Sequence, residues 1–214
     1  MKSLTYATLI AAAYDWKLPT NYTVLKVLSD NFGWVLEDTV TSEIIIVVRG
    51  TTNINDWVAN SNMDYVTTSL GKIHEGFVLE TNKLYVDIIE LLDTLPRNAQ
   101  LILTGHSLGG AIVTILATIL ALHKANFTIS VYTFASPRVG NRKFVNSYKA
   151  FNIKTCRFIN KLDIVPMLPR GFGYEHVCPA KVFSDGVFGN ISYNHDISTY
   201  INNVGKLTVD LILE

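Results

Sequence analysis

Residues 101–122, "LILTGHSLGGAIVTILATILAL", are apolar or small except for one ionisable side chain, His106. A run of that length is long enough to cross a bilayer. Gly105, Gly109 and Gly110 interrupt it, however, and glycine is poorly suited to a helix interior. Neither apolar half alone reaches the roughly 20 residues of a spanning helix. The run therefore reads as three pieces: a buried strand finishing at 101–103, a tight turn over 105–109, and a buried helix over 111–122. The turn spells Gly105-His106-Ser107-Leu108-Gly109, the G-x-S-x-G pattern that holds a serine on a sharp strand-to-helix bend. Small residues at 105 and 109 let such a bend close, and the N-terminus of the following helix favours negative charge beside Ser107.

The rest of the chain supports a soluble α/β protein. Hydrophobic residues make up 49% of it and charged ones 17%, which excludes general disorder. The 18 basic and 18 acidic residues balance, leaving no basic face to drive nucleic-acid binding. Cys156 and Cys178 are too few for a disulfide framework or a metal cluster, and read as two buried thiols rather than one bridge. "MKSLTYATLIAAAYDW" reads as an amphipathic first helix rather than a secretory signal, because tyrosines and threonines interrupt it and Asp15-Trp16 stand where a cleavage site belongs. A secreted location is expected if the chain is a mature form, and a cytoplasmic one otherwise.

With no repeat or linker, residues 1–214 read as one domain. "YTVLKVLSD" and "FGWVLEDTV" form a hairpin-like antiparallel start. "EIIIVVRG" has the continuous β-branched character of a strand buried on both faces. Helical spacing over "GFVLETNKLYVDIIELLDTLP" stops before Pro96. Strands follow at "AQLILTG", "TISVYTF", "IKTCRFIN" and near "YEHVCPAKVF", with a short helix at "NRKFVNSYKAF" and a last helix after His195. This alternation predicts a mostly parallel central sheet flanked by helices.

A serine hydroxyl is a weak nucleophile without a base. In the chain order serine, then acid, then histidine, His74 and His106 come too early. His123 sits at a helix end, where a cation meets the last carbonyls. His176 and His195 remain; His195 stands at a loop-to-helix junction, whereas His176 lies within or beside a strand. For the acid, Asp163 in "FINKLDIVPMLP" leaves a strand edge. Its rivals are Asp185, in a turn beside Gly186, and Asp196, which helix capping explains better.

Six segments together resemble the class 3, fungal-type triacylglycerol lipases of the α/β-hydrolase group: "VVRGT", "IHEGF", "LTGHSLGGA", "FASPRVGN", "DIVPMLP" and "HDISTY", spread over about residues 4–200. The resemblance implies an α/β-hydrolase fold, with Ser107 as nucleophile, Asp163 as acid and His195 as base. It implies an oxyanion hole built from Thr51 and the backbone N–H of Leu108. It also makes "TNINDWVANSN" a short lid near 53–61, in which Ile54, Trp57 and Val58 lie at i, i+3 and i+4 and form one apolar face toward substrate or a lipid–water interface. The implied activity is carboxylic-ester hydrolysis on acylglycerols through an acyl-enzyme, without metal or cofactor. The lid stretch is rich in Asn and Asp, as in feruloyl esterases of the family, so phospholipase A1 or feruloyl/short-chain esterase activity is the alternative. A silent hydrolase fold serving as an interaction module is the non-catalytic alternative; loss of a triad residue would mark it, and all three are present.

Overall fold

The computed structural model of the chain describes residues 2–53, 64–96, 98–123, 127–171 and 173–210. Among these, the central sheet has seven strands. They are β1 (Tyr22–Val27), β2 (Gly33–Asp38), β3 (Ile44–Val48), β6 (Gln100–His106), β7 (Thr128–Phe134), β9 (Lys154–Asn160) and β11 (Lys181–Phe183), in the spatial order β1-β2-β3-β6-β7-β9-β11. The first two pairings are antiparallel and the remaining four parallel, as the hairpin start and later strand–helix alternation predict.

Burial on both faces explains the unbroken β-branched run of β3, in which all five residues are buried. Ile45 and Val47 pack with Tyr6, Leu9 and Ile10 of helix α1 (Lys2–Asp15). Ile44, Ile46 and Val48 face the opposite layer, with Leu84, Ile88 and Leu92 of α2 (Glu75–Thr94) and Ile112, Val113 and Leu116 of α3 (Leu108–His123). Helix α3 is the apolar half of the 101–122 run. It is buried nearly all round because the sheet and α2 cover part of it while Ile73, Phe77 and Phe144 cover Ala111 and Ile115. That tertiary cover is what lets so apolar a helix sit inside a protein; no helix among the described residues is long and apolar enough to cross a membrane.

The bend between β6 and α3 is tighter than the sequence suggests. Gly105 and His106 still pair with Thr133 and Phe134 of β7, and α3 starts at Leu108, so only Ser107 stands between them. Gly105 and Gly109 allow this: a Cβ on the first would run into the Gly109 carbonyl, and a Cβ on the second into the Val48 carbonyl.

Two features differ from expectation. The strand predicted near 174–183 is split, because Pro179 cannot donate to a ladder. Its first part is β10 (Tyr174–Glu175) and its second is β11. β10 belongs to a second, antiparallel sheet ordered β10-β8-β5-β4, completed by β4 (Tyr65–Thr68), β5 (Gly71–His74) and β8 (Gly140–Asn141). Strands of two to four residues carry too little periodicity to be recognised in sequence. Helix α4 (Arg142–Ala150) follows β8, capped by the Asn141 side chain. The last two helices are α5 (Ile191–His195) and α6 (Ile197–Asp210), so the expected last helix does follow His195, which itself ends a further short helix. Cys156 and Cys178 are free thiols and only half-buried.

Replacing Ile46, which is fully buried between two layers, should cost about 2–5 kcal/mol as Ile46→Ala. Val86→Ala, at an exposed site on α2, should stay within about 0.5 kcal/mol. Urea unfolding followed by circular dichroism measures both, and equal losses would contradict the two-sided packing of β3.

Candidate functional site

The C-terminal ends of the parallel strands bring the sequence-selected residues into one neighbourhood. Ser107 adopts φ +56°, in the left-handed region that non-glycine residues rarely enter. Its N–H is held by the Phe134 carbonyl at 2.9 Å, while its carbonyl accepts from Gly110 N–H at 2.9 Å. Backbone bonds on both sides thus over-determine a strained residue, as such a conformation requires. Ser107 is 1% exposed, and its Oγ has no hydrogen-bond partner among the described residues.

Asp163 leaves the end of β9 through a turn in which its N–H meets the Asn160 carbonyl at 3.1 Å. Its carboxylate is buried and receives three donors. Val165 N–H reaches Oδ1 at 3.0 Å, while Tyr200 O–H and His195 Nδ1–H reach Oδ2 at 2.7 and 2.8 Å. Since a carboxylate only accepts, the proton of His195 sits on Nδ1 and the lone pair on Nε2. Nε2 is buried and, among the described residues, has no partner. The structure therefore brings Asp163 and His195 into contact and leaves Ser107 Oγ and His195 Nε2 both unbonded nearby. Tyr200 keeps its proton firmly, because burial and then the Asp163 charge raise its pKa well above the ordinary value.

Two buried asparagines that sequence reasoning missed brace the loops carrying Asp163 and His195. Asn160 donates from Nδ2 to the carbonyls of Asp185 and Asn194 at 2.5 and 3.0 Å, and accepts from Leu162 N–H and Asp185 N–H. Asn194 donates to the Leu162 and Val187 carbonyls and accepts from Val187 N–H at 2.9 Å. Tyr200 was also missed; its only sequence signal was an aromatic at helical spacing in "HDISTY", which reads as core.

The alternatives are engaged elsewhere. Asp185 accepts from Asn203 at 2.6 Å, and Asp196 caps α6 through Ser198 N–H at 2.7 Å. His176 Nε2 contacts the Pro166 carbonyl at 2.8 Å, supporting the acid loop from outside. His74 stacks on Phe77, and His123 ends α3.

Thr51 follows β3 and, with Tyr14, Thr52, His106 and His195, lines a cleft of about 380 Å³. Its Oγ1 accepts from Asn53 N–H at 3.2 Å. Leu108 is the first residue of α3, where backbone N–H groups have no intrahelical partner. Ser107 does not itself line the cleft. Ile54, Trp57 and Val58 lie outside the described residues.

Comparison with known proteins fits this geometry. The family described as Lipase (class 3) matches residues 45–172. The secreted mono- and diacylglycerol lipase 1 of Fusarium solani is 30% identical over 192 residues, covering 84% of this chain and 57% of that protein. The chain spans about half the length of the curated relatives it matches. A lipase from Rhizopus microsporus var. chinensis has the same fold, with TM-score 0.77 at 23% identity over 93% of this chain and 85% of that one. A triacylglycerol lipase whose catalytic centre is formed by a serine-protease triad aligns with TM-score 0.74 at 26% identity, over 86% and 80%.

Burial sets a pH limit on the site. It lowers His176 to about 3, with the Arg157 cation adding to the effect, and holds His106 well below 6.5, with His195 adding to it. Below about pH 6.5 the unfolded chain binds protons that the folded chain refuses, so stability falls as pH falls, by ~1.4 kcal/mol per unit for each such histidine. The urea midpoint should drop between pH 6.5 and 5, and His176→Gln should flatten that slope. An unchanged slope in the variant would contradict the assignment.

Proposed function

The chain belongs to the class 3 lipase family, and we propose that it is a serine carboxylic-ester hydrolase acting on acylglycerols. The observation that carries this reading is His195. Its Nδ1–H is fixed on the buried carboxylate of Asp163 while its Nε2 lone pair is left without a partner among the described residues, beside the strained turn that holds Ser107. A base so oriented is what a serine nucleophile requires.

In this reading Ser107 Oγ attacks the ester carbonyl carbon as His195 Nε2 takes its proton, and Asp163 stabilises the imidazolium without becoming protonated. The tetrahedral oxyanion is met by the N–H groups of Thr51 and Leu108. His195 then protonates the departing alkoxide, leaving an acyl-Ser107 ester. Water, deprotonated by the same nitrogen, attacks that ester and releases the carboxylic acid and free Ser107. Residues 1–214 act as one unit, and the segment near 53–61, with Ile54, Trp57 and Val58, serves as the lid that uncovers Ser107.

The cleft beside His195 is rich in acceptors, including Asp15, Asp196 and Thr51. That lining suits an alcohol portion bearing free hydroxyls, and the Fusarium relative acts on mono- and diacylglycerols. We therefore place partial glycerides ahead of triacylglycerols as substrates. A lipid–water interface is the natural site of encounter, because the loop before His195 presents Val187 and Phe188 at 56% and 96% exposure, with Tyr193 at 46%.

Hydrolysis of p-nitrophenyl butyrate, emulsified diolein and emulsified triolein by wild type and Ser107→Ala tests the reading. Wild type should cleave all three with diolein fastest, and Ser107→Ala should lose about 10⁴-fold or more in kcat. Turnover that survives in the alanine variant would place the chemistry elsewhere. Phe188→Ser should lower turnover of emulsified substrate more than that of the soluble ester; equal changes would remove the loop from the lipid encounter.

A further inference from the structure

His106 separates Gly105 from Ser107, and the chemistry above gives it no part. Its ring is buried, and both ring nitrogens are bonded. Nε2 lies 2.8 Å from the backbone carbonyl of His195, and Nδ1 lies 2.8 Å from the Tyr14 hydroxyl. A carbonyl can only accept, so the proton is on Nε2, and Nδ1 must accept from Tyr14 O–H. The Tyr14 oxygen in turn accepts from Gly50 N–H at 2.8 Å. One directed chain therefore runs from Gly50 N–H through Tyr14 and His106 to the main chain of His195.

Its two ends are the two sides of the proposed site. Gly50 packs against Ser107 so closely that a Cβ on it would come within 2.8 Å of the Ser107 Cβ and 2.6 Å of the Tyr14 hydroxyl. The Gly50 carbonyl accepts from Arg49 Nη1 at 2.8 Å. In a planar trans peptide the C=O and the following N–H point in opposite directions, so fixing the Gly50 carbonyl also sets where Thr51 N–H aims. With its own N–H committed to Tyr14, Gly50 does not compete as an oxyanion donor. At the other end, the His106 and His195 rings stand with centroids 4.6 Å apart. A cation on the first would oppose the imidazolium formed on the second, so only a neutral His106 is compatible with proton uptake by His195.

We propose that Tyr14 and His106 are positioning residues that hold the Gly50–Thr51 turn and the backbone of His195 in fixed register across Ser107. The proposal rests on the ester-hydrolase reading. A displacement at either end acts on the transition state more than on substrate binding, and a misplacement of about 1 Å can cost about 10²-fold.

The test compares wild type, Tyr14→Phe, His106→Gln and the double variant. For each, kcat and KM on p-nitrophenyl butyrate, the rate of labelling by a fluorophosphonate, and the downfield proton resonance of His195 Nδ1–H are measured. Tyr14→Phe keeps the ring and removes only the hydroxyl; His106→Gln keeps a donor toward the His195 carbonyl and loses the link to Tyr14. Each single variant should lower kcat and labelling about 10- to 100-fold with KM within about twofold. The double variant should be little worse than the poorer single one, since both cut the same chain. The His195 Nδ1–H resonance should shift in Tyr14→Phe. Wild-type kcat with an unmoved resonance in Tyr14→Phe, or additive losses in the double variant, would overturn the proposal and leave the pair as a brace for the fold. A wild type that neither turns over nor labels would instead overturn the ester-hydrolase reading, and the resonance in Tyr14→Phe would then decide the positioning role by itself.

Discussion

The close approach of helix α3 to the ends of β3 and β6 is the constraint on which the rest of this structure depends. It exists because Gly105 and Gly109 present no Cβ where the backbones of β6, α3 and β3 converge. The approach puts the first residues of α3, Leu108 and Gly109, whose N–H groups have no intrahelical partner, beside the residues that follow β3. Ser107 is then the only residue between strand and helix, and the left-handed φ forced on it is held by hydrogen bonds from neighbouring backbone. A side chain at Gly109 would push α3 away from the end of β3, and one at Gly105 would push α3 away from β6.

Around that turn the protein buries an unusual amount of polar chemistry, and nearly all of it is matched. A buried carboxylate is tolerable only when donors replace water, and Asp163 has three. Asn160, Asn194 and Tyr200 link the acid loop, the 185–194 loop and α6 through hydrogen bonds that satisfy each group. Among the described residues, Ser107 Oγ and His195 Nε2 are left without partners, as are the buried hydroxyls of Thr104 on β6 and Thr133 on β7. Polar atoms left unbonded inside an otherwise satisfied network are the places where a reacting molecule has something to gain.

The two adjoining histidines show how environment divides one residue type into two tasks. His195 meets a carboxylate through Nδ1, which fixes its tautomer and the orientation of its ring. His106 meets a hydroxyl and a carbonyl, no opposite charge, and complete burial, so it stays neutral. The difference is set by partners from α1 and from the end of α5, far apart in sequence from both β6 and each other.

How much of this could be read from the letters follows from the range over which each signal acts. The two-sided burial of β3, the amphipathic face of α2 and the strand–turn–helix around Ser107 are local patterns, and the chain alone determined them through period, turn chemistry and the steric freedom of glycine. Ser107 could be named from its motif, whereas chain order only narrowed the acid and the base, and the resemblance to class 3 lipases singled out Asp163 and His195. The short second sheet, the split at Pro179, the asparagine braces and the Tyr14–His106 link could not be named. Each depends on pairings between residues tens of positions apart, such as Tyr14 with His106 or Asp163 with Tyr200, that leave no periodic trace. The apolar run at 101–122 shows the division most plainly. Its hydropathy is a local property, but whether that hydropathy meant lipid or protein was decided by the sheet, α2 and Phe144 closing around α3, because only tertiary packing determines what covers an apolar surface.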